Sequence, residues 1–435
     1  MATIVEPVLS GTGARSSRAG FGSILLLSLT IASAWATRSV FSPMQDIARA
    51  DMRLSDFQIS LVQGLAASIP IALLSIPLGR MVDRRNRVHL LIAVTAVSTL
   101  GGLATAFATS FPLLFVARML AGLGGMCALP MAISIAADLS PPDRRGRAIL
   151  ILSVGQIIGV AGAFALGGWL FSALAGTSIL GLTAWRGVHV VFAAFGLAAL
   201  LSLFLLNEPK RLEIAEGIAL PLREAVGEMW ARRALILPLL IGQIAVVMAD
   251  TAATIWAAPV LSRNYGLSPA QFSAWIGAVI LVAGILGAVF GGLAADFGHK
   301  SRVPGGLLIG AVAAAALSIP AAFFPVMPTV AGFAAMLTLL LLCGAATGLV
   351  TATAVAVLIP NEIRGLCLGL FVVGGAVIGL AVAPTLVSVI SSAIGGQRGL
   401  PWGLATTGVA TGVAALIGFI RSMVIAARAA EAAVV

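Results

Sequence analysis

The chain has 435 residues, 60% of them hydrophobic and only 10% charged, with a mean hydropathy of +1.09 and a formal net charge of +10. That balance excludes a water-soluble globular protein, in which about a quarter of residues are charged, and with it the length prior of several soluble domains. What is left is a helical integral membrane protein, in which a run of about 20 apolar residues crosses the hydrocarbon.

Such runs lie near 21–47, 57–79, 88–108, 111–137, 147–172, 185–206, 235–261, 269–294, 303–323, 329–358, 366–392 and 401–426, predicting twelve helices. Ten or eleven stays open where Pro320, Pro325 and Pro328 blur the breaks. The first run has features of a cleavable signal, with Arg15 and Arg18 before it and Ala32-Ser33-Ala34 within it. Cleavage would leave eleven helices and spoil the charge pattern, so the run reads as a span. With the N-terminus inside, nineteen of the 26 basic residues fall in inner segments, five in outer segments and two, Arg38 and Arg118, inside the hydrocarbon. This asymmetry is the positive-inside rule, so the net charge reports topology and argues against nucleic-acid binding.

Arg38 lies about nine residues from the outer end of the first helix and Arg118 about seven residues into the fourth, so both sit roughly 10 to 14 Å deep on the outer side. Each costs about 2.5 to 3.5 kcal/mol at a helix centre. Interfacial snorkelling is the bland alternative. Two fixed guanidinium groups at one level suit an anionic head group, because guanidinium stays charged and grips carboxylate or phosphate with paired bonds. Trp35, Ser42 and Gln45 flank Arg38 within two turns, and Gln156 is the lone amide of a glycine-rich fifth helix. The glycines there read as helix-packing positions.

The polar stretch from Asn207 to Arg233 divides the helices six and six. "GRMVDRRNR" from Gly79 recurs as "GLAADFGHK" from Gly292, sharing G-x-x-x-D, and "PDRRG" recurs as "NEIRG", at displacements of 213 and 219 residues. The organisation expected is a tail over 1–20, a six-helix bundle over 21–206, a linker over 207–234, a second bundle over 235–426 and a tail over 427–435. Parallel repeats about the membrane normal mark a rocking-bundle carrier with its site between the halves.

Helix seven carries the one acid well inside a span, Asp250, close to the repeat counterpart of Arg38. Gln243 and Thr254, seven before and four after it, share its helical face. A pair between Arg38 and Asp250 in the empty protein, broken by substrate or a proton, is one expectation; a purely structural ion pair is the other. Trp256 and Trp275 read equally as interface anchors or stacking platforms. Cys127, Cys343 and Cys367 have no paired spacing, and His89, His189 and His299 are scattered, so neither a disulfide, a metal site nor a catalytic cluster is expected.

"PLGRMVDRRNR" resembles the loop signature of the major facilitator superfamily, and its degenerate copy falls where that family repeats it. "RSVFSPMQDIARADMRLSDFQISLVQG", "ARMLAGLGGMCALP", "PPDRRGRA" and "AWRGVHVVF" are similar to its spinster-like and anion-symporting branches. The resemblance implies the all-α major facilitator fold, with 12 transmembrane helices in two pseudo-symmetric six-helix bundles. It implies an inner latch between the halves at Gly79, Asp83, Arg84, Arg87, Asp138, Asp143 and Arg145, with a weaker copy at Asp296, Lys300, Glu362 and Arg364. It also implies an acid beside each membrane arginine; here those places hold Thr37 and Gly125, which removes the usual proton route.

The function expected is alternating-access transport of a small or amphipathic, anionic organic solute, as facilitator, exchanger or proton-coupled carrier. The branches imply lysolipid-like substrates or carboxylates and sugar acids. A multidrug exporter coupled through Asp250 and a non-transporting sensor are the alternatives. No enzyme activity and no cofactor are expected. The partners expected are the substrate, protons as candidate coupling ions and the lipid bilayer, with no nucleic acid. A monomer in a bacterial inner membrane, both termini cytoplasmic, completes the reading.

Overall fold

A computed structural model of the protein describes residues 12–141, 144–177, 179–211, 222–301 and 303–432. Twelve helices are long and apolar enough to cross a membrane. They are α1 (Gly20–Asp51), α2 (Asp56–Ser75), α3 (Arg87–Phe107), α4 (Phe111–Leu139), α5 (Arg145–Ala173) and α6 (Ala184–Leu203), then α7 (Arg233–Asn264), α8 (Pro269–Lys300), α9 (Gly306–Val326), α10 (Val330–Leu358), α11 (Asn361–Ile394) and α12 (Gly399–Ala429). The first six form one bundle and the last six its pseudo-symmetric partner. Because the spans alternate in direction, the 207–233 linker shares one face with the described ends, here the linker face; the α1–α2 and α7–α8 turns lie on the far face.

Local chemistry sets the helix starts. Ser55 and Gln58 form a capping box at the head of α2, and Ser268 and Gln271 form one at α8. The Asn86 side chain accepts from the His89 amide to begin α3. In α1 the regular helix ends at Ser39 and resumes at Phe41. Pro43 causes this break, since it has no N–H to return to Ser39 and its ring crowds that carbonyl. Two further irregularities are π-helical turns, Leu61–Leu65 in α2 and Gly375–Gly379 in α11.

The bundles meet along two seams. Along α5 and α8, small residues bring backbones together: a Cβ on Gly168 would strike Ser273, and one on Gly277 would lie 2.6 Å from the Ala161 carbonyl. Along α2 and α11, Gly64 lies directly against the Leu380 carbonyl. Within the first bundle Gly155 and Gly159 play the same part against Ser28 and Ala32 of α1. Toward the far face one buried apolar cluster joins both bundles, with Phe41 and Met44 of α1 against Trp256, Val260 and Leu261 of α7 and Phe272 of α8. Trp256 is fully buried there and donates to the Pro384 carbonyl at 3.2 Å, so it is neither an interface anchor nor a stacking platform.

The expected inner latch takes another form. Arg87 binds Asp138 at 2.5 Å and Glu208 at 2.7 Å, tying α3, α4 and the start of the linker within the first half of the chain, not one bundle to the other. Arg145 donates to the Ala137 carbonyl at 3.2 Å and Arg364 to the Ile359 carbonyl at 3.2 Å. Arg84, Asp296, Lys300 and Glu362 are exposed, and Gly79 has open space beside it. Asp143 and the Asp83 side chain lie outside the described residues. The physical reason is separation: the first-repeat residues belong to one bundle and the second-repeat residues to the other.

Candidate functional site

Between the bundles lies a cavity of about 550 Å³, within the range of small-molecule sites. Its deep end is polar, formed by Trp35, Arg38 and Ser42 of α1, Gln63 of α2, Gln156 of α5, and Asp250 and Thr254 of α7. Toward the linker face the walls become apolar, with Val355 of α10 and Leu368, Phe371 and Val372 of α11. The chamber is therefore amphipathic along its length.

Several polar atoms on its wall are buried without a hydrogen-bond partner in the protein: Trp35 Nε1, Arg38 Nε, Gln243 Oε1 and Thr351 Oγ1. Buried polar groups are normally paired, because leaving one unpaired costs about 1 to 3 kcal/mol. Two donors on consecutive turns of α1 thus face the chamber without an acceptor. The Arg38 guanidinium stacks over the Trp35 ring, 5.1 Å from its centroid, which fixes the pair as a unit.

Arg118 behaves differently from the expectation of two cavity arginines. It is 3% exposed, and its guanidinium donates to the carbonyls of Thr37 (3.3 Å) and Arg38 and stacks over Phe41 at 5.0 Å. The helix break in α1 leaves carbonyls there that need donors, and Arg118 supplies them. Gln45 is also turned away from the chamber. It donates to the Ile255 carbonyl across the bundle interface and accepts from Gln63 at 2.8 Å, while Gln63 also donates to Ser42 at 3.0 Å. These amides roof the deep end.

The expected pair between Arg38 and Asp250 is not formed among the described residues. Both line the chamber, but the Asp250 carboxylate lies directly against Gly344 of α10, in space that any Cβ there would occupy. Gly125, where the resemblance implies an acid, does abut Arg38: a Cβ built on it would be 3.4 Å from Arg38 Cδ. The glycine therefore leaves the guanidinium without the neighbour that would neutralise it.

The far-face closure rests on residues that sequence reading did not single out. Arg263, in the last turn of α7, binds Asp46 of α1 at 2.5 Å and Asp56 of α2 at 2.7 Å, and Arg49 joins Asp46 at 3.1 Å. Ser60 of α2 and Ser388 of α11 approach to 3.4 Å below it. The available signal was two acids flanking one outer turn and an arginine ending the first helix of the second repeat.

Comparison with known proteins places this architecture. A bacterial homolog of the human lysosomal transporter Spinster, in an inward-facing and unoccupied conformation, superposes with a TM-score of 0.79 at 23% identity, over 96% of this chain and 98% of that one. Among curated proteins, a multidrug resistance protein B homolog of Mycobacterium tuberculosis is 32% identical over 136 residues, 31% of this chain and 22% of the relative. The 3-(3-hydroxy-phenyl)propionate transporter of Escherichia coli is 38% identical over 104 residues, 24% of this chain and 25% of the relative. The chain thus spans about a quarter or less of the length of these two curated relatives. Residues 27–323 match the Major Facilitator Superfamily over more than half of the chain, and the protein belongs to that superfamily.

Proposed function

We propose that this protein is a secondary carrier that moves an amphipathic organic anion across the cytoplasmic membrane by alternating access, with the linker face and both termini in the cytoplasm. The charge asymmetry of the loops supports that orientation, and a bacterial inner membrane and a monomeric carrier are the context adopted. One observation carries the substrate class: the uncompensated Arg38 guanidinium and the Trp35 indole N–H at the polar end of a chamber whose opposite walls are apolar. An anionic head group pairs with these donors, and an apolar tail lies along Phe371 and Val372. Lysophospholipids and aromatic or aliphatic carboxylates share that chemistry. No catalytic role is assigned to any residue of the chamber.

Asp250 shares the chamber with a cation that is always charged, so it is the chamber group whose protonation can change the balance between the two. It supports a second reading, a proton-coupled exporter of varied drugs. Uptake into proteoliposomes separates the readings, using a panel of carboxylates, lysolipids and lipophilic cations, with and without a pH gradient and with internal substrate. Anion flux stimulated by internal anion and lost in Arg38→Gln supports the proposal. Flux of lipophilic cations that is indifferent to Arg38→Gln overturns it.

A further inference from the structure

Outside the chamber, on the lipid-facing side of the second bundle, α7 and α12 enclose a groove of about 670 Å³ at the linker face. We infer that this groove holds one anionic phospholipid, its phosphate between Arg233 and Arg421 and an acyl chain along Leu237, Ile241 and Ile417. The inference does not depend on what the carrier transports.

The groove exists because the two helices touch only through small residues. Gly418 of α12 packs on the Pro238 carbonyl and the Gly242 backbone of α7, where a Cβ would lie 2.5 Å from that carbonyl. The neighbouring side chains are left to stand as ridges on either side of this floor. Leu237, Ile241 and Ile417 are 42%, 55% and 51% exposed. From Arg233 to Ile241 the α7 wall rises eight residues, roughly 12 Å, enough for the upper part of an acyl chain.

Its mouth is cationic. Arg233 opens α7, so a phosphate there also meets the positive end of the helix dipole. Its guanidinium lies 5.4 Å from the ring centroid of Trp230 and donates to the Trp230 carbonyl at 3.0 Å, which holds it at the mouth. Trp230 itself is 63% exposed, as suits an indole at the headgroup level. Arg421 lines the other side and has no ion-pair partner among the described residues. Two guanidinium groups above an apolar trough are complementary to a phosphodiester carrying a net negative charge, and basic pockets between spans recognise such head groups.

The test is native mass spectrometry of the purified full chain, titrated with phosphatidylglycerol or phosphatidylcholine of matched acyl chains. Wild type is expected to retain one phosphatidylglycerol at concentrations where phosphatidylcholine leaves it bare. Arg233→Gln with Arg421→Gln should weaken phosphatidylglycerol binding on the scale of fivefold per arginine and abolish the preference. Arg428→Gln, an exposed arginine of the same helix beyond the groove, should change nothing. If the double variant does not fold, Ile417→Trp obstructs the trough with both charges intact and should displace the lipid. Equal retention of the two lipids by wild type overturns the inference. So does an equal loss in Arg428→Gln, which would mean diffuse surface charge, or a dimer formed in place of lipid binding.

Discussion

Arg118 of α4 donates through its guanidinium to the backbone carbonyl of Arg38, so one membrane arginine supports the helix that presents the other. The two are at one depth but have opposite surroundings. Arg118 is spent on backbone carbonyls, whereas Arg38 has a buried Nε with no partner. Arg118→Ala therefore strands two carbonyls at the break in α1, at a cost of about 1 to 3 kcal/mol each. The expected outcome is a clear fall in thermal stability and in membrane yield. Arg38→Gln should leave the melting temperature near that of wild type and cut anion uptake at least tenfold. Thermal shift in detergent and proteoliposome flux, read together, check this division of labour.

Arg263 fastens α7 to α1 and α2 across the far face through Asp46 and Asp56. These side chains are about a quarter exposed or less, so the pairs fall between the weak surface and strong buried limits, about 1 to 2 kcal/mol together. Arg263→Gln should shift the population roughly tenfold toward states open at the far face. The three natural cysteines are buried, so a Ser42→Cys reporter can be labelled with a membrane-impermeant thiol reagent added from that face. Faster labelling in Arg263→Gln is expected, and an unchanged rate would remove the pair from the closure.

Gly344 gives the Asp250 carboxylate its place. A methyl group at this position would compete with the carboxylate for the same volume, so Gly344→Ala should disturb transport in the same direction as Asp250→Asn. Asp250→Asn is expected to abolish any stimulation by a pH gradient while anion exchange persists. A variant that loses expression without passing through altered coupling would assign Asp250 to packing instead.

Gly125 leaves room for a side chain beside Arg38. Gly125→Glu should place a carboxylate against the guanidinium and lower anion uptake several-fold at neutral pH. The sign of its pH dependence follows from charge: lowering the pH protonates the introduced carboxyl, frees Arg38 and restores uptake. Wild type, lacking that group, should not show the recovery. Initial uptake rates across a pH series in both proteins measure it.

The twelve spans, their pairing into sixes and the placement of Arg38, Trp35, Gln156, Gln243, Asp250 and Thr254 on one chamber were legible because hydropathy, charge and repeat spacing act along the chain. What was not legible depends on directions in space. Arg118 has the depth and chemistry of a cavity arginine, yet which way it turns is decided by the Pro43 break on another helix. Asp250 lies near the repeat counterpart of Arg38, but the nearest space for its carboxylate is made by a glycine ninety-four residues away. Arg87 and Asp138 do pair, and only their positions on one bundle show that the bond cannot fasten the other. Arg263 carries no motif at all; its importance arises where two bundles meet.

The π-helical turns of α2 and α11 both belong to the seam where Gly64 meets Leu380, while the α5 and α8 seam is regular and lined by small residues. A π-turn holds one residue more than its neighbours and can slide that excess along the axis without breaking the helix. One edge of the molecule is consequently compliant and the other stiff, so the two halves do not part evenly. A long-tailed passenger meets a side door, and the bilayer beside α2 and α11 is the place where its chain can slip in or out ahead of its charge.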